Sequence, residues 1–168
     1  MPLLLREIRK AKWYKNSDVK WLSDDELQAD ALGDIRTSNN CLSVWEIADD
    51  RKNLEGVITA LAAKRNTAAN FDFALFSTAA ILEKDIKITE TPGETFDADV
   101  NAFHRELIEL STARLLALAE IIQRQATRER IIEPKIVSLI AAAVEAGRIG
   151  VDFLSQHIKD KVRKGRNL

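Results

Sequence analysis

Few side chains in this sequence can do acid–base, nucleophilic or metal chemistry at neutral pH. His104 and His157 are the only histidines and Cys41 the only cysteine. Set so far apart, they form none of the H-x-x-x-H, C-x-x-C or H-E-x-x-H spacings that gather zinc ligands. Asp97, Asp99 and Asn101 match the first, third and fifth positions of a calcium loop. Ala102 then stands where the sharp turn needs glycine, and Ile108 where the loop needs a bidentate glutamate. The two aspartates read instead as the capped start of a helix. No metal and no cofactor is therefore expected.

Phosphate-binding and nucleophile signatures are missing as well. There is no glycine-rich phosphate loop, and Gly147-Arg148-Ile149-Gly150 lies inside a helical pattern, where it reads as packing. No G-x-S-x-G elbow presents a serine, and Cys41, at the head of an apolar run, reads as a small core residue. His104, within Phe103-His104-Arg105-Glu106, is the one candidate general base, with Glu106 or Asp99 as its neighbouring carboxylate. At the start of a long predicted helix, it reads more readily as a surface or interface histidine.

Charge suggests a different chemistry. Residues 1–22 hold six Lys and Arg against two Asp and Glu, and residues 111–168 hold eleven against six, so basic ends flank an acidic middle. Arg9 and Lys12 beside Trp13, with Lys161, Arg163, Lys164 and Arg166 at the other end, are the side chains that would neutralise phosphates and stack on bases. Cations at the end of a helix also complement its dipole without any ligand. A pI near 6.2 counts against a dedicated nucleic-acid binder.

The elements that must position these residues follow from periodicity. Alternation around Leu3–Leu5 suggests a first strand, and Ser23-Asp24-Asp25-Glu26 is a capping box for a short helix carrying Leu27, Ala31 and Ile35. Leu42–Ile47 reads as a strand. Leu54, Val57, Ile58, Leu61 and Ala62 form a full amphipathic helical stripe. Phe71, Phe73 and Leu75, then Ile86 and Ile88, alternate as strands do. Trp13, Trp21 and Trp45 supply the bulk that a small sheet needs in its core. Thr91-Pro92-Gly93-Glu94 is the clearest break in the chain.

From Asp97 onward only helical periodicity shows. One stripe runs through Phe103, Leu107, Leu110, Ala113, Ala117 and Ile121. A second begins near Pro134 and runs through Ile136, Ile140, Ala143, Gly147, Val151, Leu154, Ile158 and Val162. The expected fold is α+β: a small mixed β-α-β-α-β-β lobe over residues 1–92, followed by a long antiparallel helical hairpin over 97–165 with a basic tail.

The chain's 168 residues, 46% apolar and 30% charged, suffice for one compact core and exclude a wholly disordered chain. A lone thiol and the lack of a leader or a long apolar run suggest a cytoplasmic protein without membrane spans. Extra apolar surface on the hairpin costs solubility unless something covers it. The leading expectation is thus a non-enzymatic interaction module, an accessory or regulatory subunit of a bacterial multi-protein system that binds a protein partner or its own copy. Phe103, Leu107, Leu110, Ile140, Gly147 and Leu154 would line that contact. A nucleic-acid binder using the basic ends, and a small enzyme centred on His104 or a carboxylate, are the alternatives.

Overall fold

The computed structural model describes residues 2–13 and 26–165. Tyr14, Lys15, Trp21, the serine and aspartates of the predicted capping box, and Arg166 lie outside them. The fold is α+β, built on a six-stranded sheet in the order β4-β5-β2-β1-β3-β6. The strands are β1 (Leu3–Glu7), β2 (Leu42–Ile47), β3 (Phe71–Ser77), β4 (Lys87–Glu90), β5 (His104–Ile108) and β6 (Thr127–Ile131). Every pairing is antiparallel.

Helices cover both faces of this sheet, which explains the composition of the central strands. Leu4 and Leu5 are neighbours on β1, point to opposite faces, and are both fully buried. A strand covered on both faces has no solvent side, so it reads as a continuous apolar run. Phe71–Phe76 on β3 shows the same pattern. The first face carries α1 (Leu54–Ala63), α3 (Ala98–Asn101), α5 (Glu133–Glu145) and α6 (Gln156–Gly165) over Leu5, Trp45, Ile47, Phe71, Phe73 and Leu75. The second carries α2 (Thr78–Glu83), α4 (Thr112–Arg124) and a 3-10 segment, Ala29–Ile35, over Leu4, Val44, Ala74, Phe76 and Leu107. Each face closes its own apolar core, giving a three-layer arrangement.

The predicted helical hairpin is corrected by β5 and β6. Both come from the half read as purely helical, and both enter the same sheet as the first four strands: β5 pairs with β2 and β4, and β6 with β3. One sheet therefore runs across the expected boundary between residues 92 and 97. It also separates α4 from α5, which pack on opposite faces. The cause of the misreading is local. His104–Ile108 is a strand whose buried residues, His104 and Leu107, stand three apart, so Phe103, Leu107 and Leu110 imitate a helical spacing by coincidence. Thr127–Ile131 is an edge strand, and its Arg128, Glu129 and Arg130 hide the alternation.

The second predicted stripe, from Ile136 to Val162, is two helices rather than one. Gly147 ends α5 with φ +70°, a left-handed position that glycine takes without steric cost. The Gly147 N–H donates to the Val144 carbonyl and the Arg148 N–H to the Ala143 carbonyl, each at 3.0 Å, the double closure of a Schellman cap. The chain then turns through Val151–Phe153 and returns as α6. Ile136, Ile140 and Ala143 meet Leu154, Ile158 and Val162 in one core, so the stripe keeps its residues and loses its continuity.

Candidate functional site: a cleft where the sheet splits

β1 pairs with β2 only from Leu3↔Ile47 to Leu5↔Trp45. Past that point β1 stays with β3 as far as Glu7↔Phe73, while β2 stays with β5 through Ser43↔Glu106 and Leu42↔Leu107. The sheet parts between them. Arg6 bridges the gap from beneath: its Nη1 donates to the Ser43 carbonyl at 2.8 Å, and its Nε and Nη2 to the Asp34 carbonyl at 2.9 and 2.8 Å. Burial pushes the Arg6 guanidinium below the usual arginine range, against the opposing pull of Glu7 and Asp34.

Over the parted strands lies a cleft of about 440 Å³, within the size range of small-ligand sites. Five separate segments wall it: β1 and β2 at the split, His104 and Glu106 on β5, the end of α1 at Leu61 and Lys64, and the loop Thr91–Thr95. Register places Trp45 opposite His104 and Ser43 opposite Glu106, so these four share the first face.

His104 is the best-defined group in the cleft. It is only 8% exposed. Its ring meets Trp45 edge to face, with centroids 4.9 Å apart. Its Nδ1 lies 2.8 Å from Thr91 Oγ1 and 3.3 Å from the Thr91 carbonyl. Nε2 has no partner among the described residues. Since no fully occluded side-chain nitrogen or oxygen there lacks a partner, Nε2 keeps a path to solvent. A buried imidazole with one nitrogen tied down and the other open is held in a fixed orientation toward the cleft.

The Thr91–Thr95 loop is held closely in place. A side chain at Gly93 would put its Cβ 2.6 Å from the Trp45 ring, so only glycine lets the loop lie on the indole. The Gly93 N–H donates to the Asn101 carbonyl at 3.0 Å. Asn101 Oδ1 accepts from the Thr95 N–H at 2.7 Å, and Asn101 Nδ2 donates to the Thr95 carbonyl at 3.2 Å. Just beyond the loop, buried Asp97 accepts from Arg148 Nη1 at 2.9 Å, and Phe96 stacks on Phe153 with centroids 5.4 Å apart. The loop is thereby fastened to the turn between α5 and α6.

The cleft's charges are mostly committed. Glu7 accepts from Arg65 Nη2 at 2.6 Å, and Lys64 Nζ donates to the Glu94 carbonyl at 2.6 Å. Glu106 is half-buried, and its carboxylate has no hydrogen bond or ion pair among the described residues.

The structure brings His104 and Glu106 to one cleft, on a strand rather than at a helix start, and leaves Asp99 outside its walls. Four of the six residues expected to meet a partner are interior. Leu107 and Ile140 are fully buried, Leu154 and Leu110 nearly so, and Phe103 packs half-buried on the first-face core. Gly147 is a helix cap. Apart from the exposed Gly147, these residues pack within the chain itself.

The basic sets divide. Trp13 is buried and donates its indole N–H to Asp34 Oδ2 at 2.9 Å. Arg9 donates through Nε to Asp34 Oδ1 at 2.6 Å and through its backbone N–H to Oδ2 at 2.7 Å. Lys12 Nζ lies 3.8 Å from Asp30, and Lys161 Nζ 2.8 Å from Glu133. Only Arg163 and Lys164, both exposed on α6, have no such partner among the described residues. Ser43, Thr91 and Gly93 give no sequence signal of a site, because their roles arise from register and loop packing.

Among the described residues no group of three or more His, Cys, Asp and Glu is placed to hold a metal ion, and no helix is long and apolar enough to cross a membrane. No family model, curated protein or solved structure matches the chain.

Proposed function

We propose that the chain is a binding module, that the cleft beside His104 is its recognition site, and that it serves a larger cytoplasmic assembly as an accessory or regulatory component. His104 carries this reading: a histidine 8% exposed that lines a cleft walled by five segments of the chain, with one ring nitrogen fixed by Thr91 and the other without a partner among the described residues. Such convergence of a few polar groups on a preformed concave site favours ligand recognition. A catalytic histidine base is commonly paired with a carboxylate that stabilises the imidazolium formed on proton transfer. Here a threonine hydroxyl orients it, which favours binding over acid–base turnover.

The test is a screen of a mixed set of small cationic, anionic and neutral polar compounds by ¹H–¹⁵N correlation spectroscopy. The Trp45 indole and the amides of residues 91–95 report on the cleft. The Trp13 indole, on the opposite face, is the internal control. At least one compound moving the first group saturably, with Trp13 still, is the expected outcome. A set in which none does so, or in which shifts appear only at Trp13, overturns the assignment.

A further inference from the structure

Resting on the cleft as the recognition site, we infer that its ligand carries a primary ammonium group on a short aliphatic stem, and that Glu106 is the residue that reads it. Most charges of the cleft are already engaged. Arg6 spends its donors on the Asp34 and Ser43 carbonyls, Lys64 donates to the Glu94 carbonyl, and Glu7 is paired with Arg65. Glu106 alone among the half-buried charges of the cleft has no bonded partner among the described residues. A carboxylate partly withdrawn from water without a partner is costly to keep, and the arrival of a cation relieves that cost.

The neighbouring groups suit the same ligand. An ammonium has three donors and no acceptor. Glu106 supplies carboxylate oxygens, the Ser43 side chain stands directly across the strand pair, and His104 lines the same space on the same face. In the tautomer whose Nδ1–H donates to the Thr91 carbonyl, Nε2 is an acceptor, and that tautomer matches a donor-only guest. Leu5, Leu61 and Trp45 give the cleft an apolar wall against which a methylene stem can lie. An anion would meet the Glu106 carboxylate at close range in a partly desolvated site, which disfavours it.

The test uses a matched series on the intact protein: n-butylammonium, n-butanol and n-butyrate at one ionic strength, titrated while the Trp45 indole and the His104 ring signals are followed. The expected result is saturable binding of butylammonium with a Kd at least tenfold below that of the other two. Glu106→Gln should abolish the difference, with an unmoved Trp13 indole showing that the variant is folded. Nα-acetyl-lysine methylamide distinguishes the two sources of the group. Binding tighter than butylammonium places the stem on a polypeptide, and equal binding places it on a free amine. Butanol or butyrate binding as well as butylammonium overturns the inference while leaving the cleft a recognition site. Butylammonium binding that survives Glu106→Gln overturns it too, as does the absence of any shift at Trp45 with all three compounds; the mixed screen decides the cleft itself separately.

Discussion

Asp34 shows how one side chain decides what its neighbours can do. Its carboxylate takes the Trp13 indole N–H, the Arg9 backbone N–H and the Arg9 guanidinium, and its carbonyl takes two donors from Arg6. The most basic and aromatic part of the N-terminal segment is thus tied inward. Asp34→Ala leaves the buried indole N–H without an acceptor, a loss of about 1–3 kcal/mol. Urea denaturation monitored by Trp fluorescence measures it, and unchanged stability would show that the bonds do not matter. Gly93 acts through space rather than bonding. Gly93→Ala forces the loop off Trp45, at a cost of about 1–3 kcal/mol from overpacking. The expected signature is a shifted Trp45 indole resonance together with weaker ligand binding, whereas an unshifted resonance would show that the loop yields freely.

Between elements, α5 and α6 are joined by a core and by an ion pair with a definite pH dependence. Lys161 Nζ donates to Glu133 at 2.8 Å, and that hydrogen bond, with the charges of Lys161 and more weakly His157, holds the Glu133 carboxyl below its ordinary value of 4.5. The folded chain therefore binds this proton less readily than the unfolded chain does. The pair's contribution is fully present above 4.5 and fades as pH falls through the lowered folded value. Glu133→Gln should melt slightly below the unaltered protein at neutral pH, and the two melting curves should converge in acid. Curves that stay parallel down to acid pH would show that the pair contributes nothing. The same scale explains β6. Its Arg128 bonds the Trp13 carbonyl, Glu129 pairs with Arg51, and Arg130 forms a two-pronged bond with Asp72 on β3. These charged side chains make an edge strand that resists pairing with another sheet.

Across the whole molecule, several described cations of the two basic ends are already paired with acids. The N-terminal cations face Asp34 and Asp30, and Lys161 faces Glu133, so exposed unpaired cations in the described part of α6 reduce to Arg163 and Lys164. Exchanging both for alanine should leave any affinity for a random single-stranded oligonucleotide essentially unchanged in a fluorescence-anisotropy titration across salt concentrations. A marked loss of affinity with a shallower salt slope would instead restore the nucleic-acid reading.

What the sequence by itself determined was local. Leu42–Ile47, Phe71–Leu75 and the stripe from Leu54 to Ala62 are strongly patterned, and they form β2, β3 and α1 as their periodicity requires. His104 was legible as a titratable group with Glu106 nearby, because identity and spacing are in the text of the chain. Its setting was not. Whether His104–Ile108 is helix or strand depends on the backbone partners that β2 and β4 offer, and those come from residues far away in sequence. Gly147 looked like packing in a smooth helix, whereas its φ of +70° makes it the stop that folds α6 back on α5. The cleft exists because β1 leaves β2 after Leu5 and Gly93 settles on Trp45. Short-range preferences choose the elements, but long-range pairing chooses which side chains face one another across a gap, and only the folded chain makes that choice.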